Sequence, residues 1–346
     1  MTRRTWISAS ASTVGFPSLS AAQSRTPLPL IKPKALRPGD TIGFITPSTY
    51  VSDPVTLDLV SRTAAHFGLK VKMGANVRKR AGYVGGTIAE RVADLHAMFA
   101  DREVAGVFCV RGGYGSPQLL DKIDYQLIRR NPKVFAGYSD ITAMHLAIAR
   151  HAGLVTFHSP VVLSPFTDFS QEHFRKALFS AETHRVIRNP AEPNPLRPKH
   201  PVRAIRAGKA RGTLTGGNLT LVSSLMGTPY EPDTRGRIFF IEDVGEEPYR
   251  IDRMLTQLRL AGKFDQCAGV VVGECVDCGP KKFEPGFEST FSLNEVLEDI
   301  LGTLKVPVLS GLLIGHTADQ ATLPMGVMAE MDADAATLTI LESGVE

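Results

Sequence analysis

Apolar residues along this chain come in two textures. Short continuous runs occur at 41–46, 69–73, 104–110, 134–136 and 154–157. They are too short for helices and read as strands buried on both faces. Between them, 57–67, 87–100, 116–120 and 125–130 read as helices. The stretch 87–100 is the clearest: Thr87 stands as N-cap, Glu90 follows three residues on, and Ile88, Val92, Leu95 and Phe99 line one side. Strand alternating with helix over short links predicts a parallel sheet covered on both faces.

The texture changes between 164 and 203. After a helix expected at 171–180, prolines cluster at Pro190, Pro193, Pro195, Pro198 and Pro201, which reads as a linker. Alternation then resumes, with helices expected at 219–226, 248–260 and 293–304. Strands are expected at 237–241, 268–272 and 306–314, and two more around an Asp/Ala turn within 327–341. The predicted class is α/β: an N-terminal parallel-sheet domain over 31–165, a linker over 166–205, and a C-terminal α/β domain over 206–346.

One corner stands out. The run Val134-Phe135-Ala136-Gly137 is followed by Tyr138-Ser139-Asp140, after which Ile141, Met144, His145, Leu146 and Ile148 take helical spacing. A strand turning sharply into a helix lifts a serine clear of the sheet and aims the first helical amides at whatever it attacks. Ile141 stands where the usual Gly-x-Ser-x-Gly elbow has its second glycine, and a plain helix cap at Ser139 or Asp140 is the alternative reading.

Length and composition agree with two folded domains: 346 residues, 43% hydrophobic and 21% charged. A net charge of +4 with no Lys/Arg stripe argues against a nucleic-acid partner. No apolar run reaches the roughly 18 residues of a membrane span, so stable membrane insertion is not expected. The start, Thr2-Arg3-Arg4-Thr5-Trp6-Ile7 followed by a Ser/Ala-rich stretch and Ser20-Ala21-Ala22, resembles a twin-arginine export signal. Residues 1–30 are therefore set apart from the fold. A periplasmic location is expected, or a cytoplasmic one if the signal is not used. Of four cysteines, Cys109 reads as a buried small hydrophobe. Cys275 and Cys278 form a single C-x-x-C, open to a disulfide but without the second pair or histidines of a zinc site.

Ser139, Glu242 and His316 share one property: each lies at the C-terminal end of an apolar strand, the edge where open α/β sheets bind ligands. Acyl transfer needs a hydroxyl, a base for its proton, and a carboxylate to orient the base. Asp243, Glu246 and Glu247 compete for the acid's place, and His145, His151 and His158 lie near the serine. Glu242 has a bland alternative as an ion-pair partner of Arg250 or Arg253. The loop Arg111-Gly112-Gly113-Tyr114-Gly115 brings backbone amides close to a ligand. It could supply half of an oxyanion hole, with the Asp140 amide as the other half; a tight structural turn is the alternative, while phosphate binding lacks the Gly-x-x-x-x-Gly-Lys-Ser/Thr and Gly-x-Gly-x-x-Gly spacings.

Together these segments resemble the L,D-carboxypeptidase family of serine peptidases, which includes the microcin C immunity peptidases. The likeness rests on Val110-Arg111-Gly112-Gly113-Tyr114-Gly115, Gly137-Tyr138-Ser139-Asp140-Ile141-Thr142-Ala143 and Gly216-Gly217-Asn218. It continues through Ile241-Glu242-Asp243, Pro248 to Arg253, and Gly315-His316. It implies two α/β domains with the active site between them, and cleavage of a terminal D-alanine from murein tetrapeptides. It also implies Ser139 as nucleophile, Glu242 as orienting acid and His316 as base, with the amides of Gly113 and Asp140 as oxyanion hole. No metal or organic cofactor is implied, and a homodimer is. Arg111, Tyr114 and Asn218 are the expected substrate contacts, Arg111 for the terminal carboxylate. Ser159 stands where the family's pattern has glycine, and an export signal is unusual for an enzyme of murein recycling. An immunity-type peptidase acting on aminoacyl-nucleotide analogues, and an inactive muropeptide-binding protein, are the alternatives.

Overall fold

A computed structural model describes residues 28–51 and 53–346. The twin-arginine segment lies outside the described residues.

The first sheet is built from β1 (Thr41–Ile45), β2 (Lys70–Met73), β3 (Val104–Cys109), β4 (Val134–Gly137) and β5 (Phe157–His158). These five run parallel in the order β5-β4-β3-β1-β2. β4 is buried along its whole length and β3 at all but one position, as both-faces burial requires. The crossovers are α1 (Pro54–His66), α2 (Ile88–Ala100), α3 (Tyr125–Arg130) and α4 (Thr142–Ala152). The capping box on α2 is present, with Thr87 and Glu90 each satisfying the other's backbone amide. The expected strand at 154–157 is shorter and later, and Leu154 makes only a single bridge to Ile31. A further helix, α5 (Asp168–Leu178), lays Phe174 against Phe108 and Phe67, with ring centroids 5.7 and 4.8 Å apart. Leaving β1 the chain turns to one side, and leaving β3 to the other. The loops after these two strands therefore flank the crevice at which doubly wound sheets bind ligands.

The second sheet has eight strands. They are β6 (Arg185–Ile187), β7 (Arg203–Arg206), β8 (Lys209–Asn218), β9 (Arg237–Glu242), β10 (Gly269–Gly273) and β11 (Val308–Leu312), with β13 and β14 below. β8 to β11 run parallel, joined by α6 (Leu219–Ser224), α7 (Pro248–Leu260) and α8 (Leu293–Leu301). The chain then makes β12 (Leu323–Pro324), which leaves this sheet and pairs antiparallel with β5 of the first. It returns to add β13 (Met328–Asp332) antiparallel beside β8 and β14 (Thr337–Ile340) antiparallel beside β13. β6 and β7 close the two edges, antiparallel to β14 and β11. Both lie in the stretch expected as linker. Edge strands of three and four residues among prolines carry too little periodicity to show in sequence.

The two halves meet where α4 begins. Gly217, at φ +135°, lies so close to Thr142 that a β-carbon there would stand 2.5 Å from its side chain. The Asn218 amide donates to Thr142 Oγ1 at 3.0 Å. The Gly-Gly-Asn motif thus lets the end of β8 abut the helix that follows Ser139.

Candidate active site

Ser139 follows β4 in a short 3-10 turn (Ser139–Ile141) and has φ +63°, in the left-handed region that a residue with a β-carbon avoids. Such strain persists only where the surroundings enforce it, and here they do. The Asp140 carboxylate is buried and accepts hydrogen bonds through Oδ2 from the Ser48 hydroxyl and, at 2.7 Å, from the Ser116 amide. The Asp140 carbonyl accepts from the Ser116 hydroxyl. One residue therefore binds the elbow to the loops after β1 and β3. In sequence Asp140 reads as an oxyanion amide or a helix cap, and this use of its side chain was not foreseen.

The glycine-rich loop lies directly against the elbow. A β-carbon on Gly112 would stand 3.0 Å from that of Ser139, so glycine permits the approach. Gly113, at φ +114°, is pinned by Thr49, whose hydroxyl accepts from the Tyr114 amide at 3.0 Å. Among the described residues the Gly113 amide has no backbone or side-chain acceptor. The Asp140 amide falls in the first turn of a helical segment, where amides lack an acceptor within the helix.

His316 follows β11, and Glu242 is the last residue of β9. Glu242 Oε2 accepts from His316 Nδ1 at 2.7 Å, with the carboxylate fully buried. Its other oxygen, Oε1, is buried and accepts no hydrogen bond among the described residues. Gly315 and Gly273 make room for it: a β-carbon on Gly315 would lie 2.4 Å from Oε2. With Nδ1 held, Nε2 is the nitrogen left to handle a proton. Burial disfavours the charged ring, but the hydrogen bond and charge of Glu242, with Asp243 behind it, outweigh burial and raise the His316 pKa above its ordinary 6.5. The Tyr138 ring packs on the imidazole, centroids 4.7 Å apart.

Ser139 and His316 line one cleft of about 460 Å³, with Arg111, Gly112, Gly113, Tyr138 and the segment Val161, Leu163, Ser164 and Pro165. That last segment was not foreseen, although an apolar run between Pro160 and Pro165 was a signal for it. Arg111 is exposed and makes no ion pair among the described residues. Tyr114 is exposed and packs edge-on against Tyr83 rather than lining the cleft. Asn218 is buried: its amide nitrogen donates to Asp243 at 2.9 Å and its oxygen caps α6. Asp243 also accepts from the Thr220 amide and hydroxyl, so it anchors α6. Glu247 accepts from the Gly286 amide at 2.9 Å.

The rival histidines are engaged elsewhere. His145 bonds through Nδ1 to the Thr156 hydroxyl and through Nε2 to the Gly137 carbonyl, and burial pushes it down to about 4. His158 donates to the Ile314 carbonyl, and His151 lies 3.3 Å from the Pro229 carbonyl. Cys275 and Cys278 are free thiols. Among the described residues no cluster of three or more His, Cys, Asp or Glu could hold a metal ion, and no helix is long and apolar enough to cross a membrane.

Two joined α/β sheets with a serine, a histidine and a buried carboxylate gathered at their strand ends describe a peptidase fold. The family is shown by direct comparison. Residues 42–159 match the LD-carboxypeptidase N-terminal domain and residues 211–331 the LD-carboxypeptidase C-terminal domain, and the chain belongs to that family. It is 41% identical to a probable murein peptide carboxypeptidase of Bacillus subtilis, over 91% of this chain and 95% of the relative. It superposes on muramoyltetrapeptide carboxypeptidase from Oxalobacter formigenes with TM-score 0.74 and 30% identity, covering 88% of this chain and 98% of that one. It superposes on the microcin C7 self-immunity protein MccF of Escherichia coli with TM-score 0.80 and 28% identity, covering 91% and 99%. As a member, the chain is a peptidase with the family's two-domain α/β architecture.

Proposed function

We propose that this peptidase is a serine-type L,D-carboxypeptidase that removes the terminal D-alanine of murein tetrapeptides. The observation that carries the reading is the buried Glu242–His316 bond of 2.7 Å, opening onto the cleft that holds the strained Ser139. Ser139 Oγ attacks the carbonyl before the D-residue while His316 Nε2 takes its proton. Glu242 holds the ring and stabilises its charged form. The amides of Gly113 and Asp140 receive the oxyanion; donors of this kind are each worth roughly 3–4 kcal/mol of barrier. His316 then protonates the leaving amine, D-alanine departs, and water, activated by the same base, hydrolyses the ester on Ser139.

The cleft suits such a substrate. Arg111 offers an unpaired guanidinium to a terminal carboxylate, and Val161, Leu163 and Pro165 give an apolar wall of the kind a methyl side chain fills. The names of the Bacillus and Oxalobacter relatives support the substrate class. The likeness to MccF favours a second reading, cleavage of an aminoacyl-nucleotide analogue by the same groups; one neighbour was solved with aspartyl sulfamoyl adenosine. An inactive muropeptide-binding protein would bind the tetrapeptide and release nothing. The purified protein, given a defined tetrapeptide and aspartyl sulfamoyl adenosine in parallel, should release D-alanine by mass analysis. Cleavage of the nucleoside compound alone would reverse the order of the readings.

We also place the mature protein in the periplasm as a homodimer. Replacing Arg3 and Arg4 by lysine should hold it in the cytoplasm on fractionation, and sedimentation should give twice the chain mass.

A further inference from the structure

We propose that His158 is a positioning residue, tying the loop that carries the base to the sheet that carries the nucleophile. This rests on the roles proposed for Ser139 and His316. His158 ends β5, where it pairs with Gly137 of β4, two residues before Ser139. Its Nε2 donates at 2.7 Å to the carbonyl of Ile314, two residues before His316. Its ring is fully buried and packs edge-on against Phe240, two residues before Glu242, with centroids 5.2 Å apart. The ring also meets Tyr138, the residue before Ser139, edge-on with centroids 6.1 Å apart, so one residue touches the approach to all three groups.

The segment it grips has need of a tie. Residues 313–322 cross from β11 of the second sheet to β12, which pairs on the first, with Leu323 opposite His158 itself. The position of His316 over Ser139 thus depends on how this crossing loop seats on β5. Burial pushes the His158 pKa down to about 4, so the ring stays neutral with its proton on Nε2. The titratable groups facing it are Glu242, His145, His316 and Tyr138. A neutral donor is the form that leaves Glu242 to His316 alone. A core histidine of merely structural use would affect stability and leave the chemistry of the folded protein unchanged.

The test compares His158→Leu and His158→Gln with the parent and Ser139→Ala. The readouts are kcat and KM on the tetrapeptide, and the titration of the His316 ring by NMR. Glu242, Asp243, Tyr138 and His158 are the groups that face His316. Leucine leaves the Ile314 carbonyl unpaired, and kcat should fall on the order of 10²-fold, as for an ångström-scale misplacement, with KM little changed. The His316 pKa should fall as its bond to Glu242 loosens. Glutamine keeps an N–H for the carbonyl and should recover most of both. A folded His158→Leu protein with parental kcat and parental His316 titration overturns the proposal, as does a loss that glutamine does not recover. Turnover by Ser139→Ala would overturn the catalytic roles instead; the NMR comparison would still decide whether His158 seats the loop.

Discussion

Replacing Glu242 by glutamine changes one atom in a site with two constraints. The oxygen bonded to His316 Nδ1 and the oxygen with no partner are both fully buried, and Gly315 and Gly273 leave no space to shift. The amide has two ways to sit. With nitrogen toward His316, a donor faces a donor, so the ring moves its proton to Nε2 and can no longer act as base. With oxygen toward His316, the NH2 group takes the site where no acceptor waits, at a cost of about 1–3 kcal/mol. Either way the charge that steadies the imidazolium is gone. Loss of the orienting acid from such a triad costs roughly 10⁴-fold in kcat, or about 5 kcal/mol of barrier. The acid limb of kcat/KM provides an internal check. With His316 as the proposed base, activity needs its neutral form, so in the parent it should be lost as pH falls through a value above 6.5. In the Glu242→Gln protein the raising influence of the carboxylate is removed while burial remains, so the limb should move to lower pH. The assay is D-alanine release across pH 5–9 on protein whose thermal melt matches the parent's. Turnover within about threefold of the parent, or an unmoved limb, would refute the reasoning, since a tenfold change is only 1.4 kcal/mol.

Two further predictions concern recognition and folding. Arg111→Met should raise KM roughly 10–100-fold for a peptide with a free terminal carboxylate, the worth of one charged hydrogen bond, and leave a C-terminally amidated analogue unaffected; equal losses on both would remove Arg111 from carboxylate binding. Asp243→Ala strands the buried Asn218 amide and the Thr220 donors. It should cost about 3 kcal/mol or more in urea unfolding, far more than a spare acid would.

The gathering of Ser139, Glu242 and His316 at one cleft was legible because each ends a local pattern. Ser139, Glu242 and His316 all follow apolar runs, and the end of a run is visible in one segment. What stayed hidden depends on contacts between segments. Glu242 and Asp243 are adjacent at the end of β9, and only the partners they meet, His316 for one and α6 for the other, separate their roles. Asn218 looked like a ligand contact and serves as a cap and a partner of Asp243. β12 is two residues long and carries no periodicity, yet it joins the halves and ends the loop that carries His316. Edge strands β6 and β7 were lost among prolines for the same reason.

The central claim is that Ser139 attacks the bond before a terminal D-alanine. Parent and Ser139→Ala proteins, given the same tetrapeptide, should be followed for free D-alanine and for the intact protein's mass in acid-quenched samples. D-alanine should appear from the parent alone, with a transient gain of the tripeptidyl acyl group that maps to Ser139. Release of D-alanine by Ser139→Ala at the parental rate would contradict it.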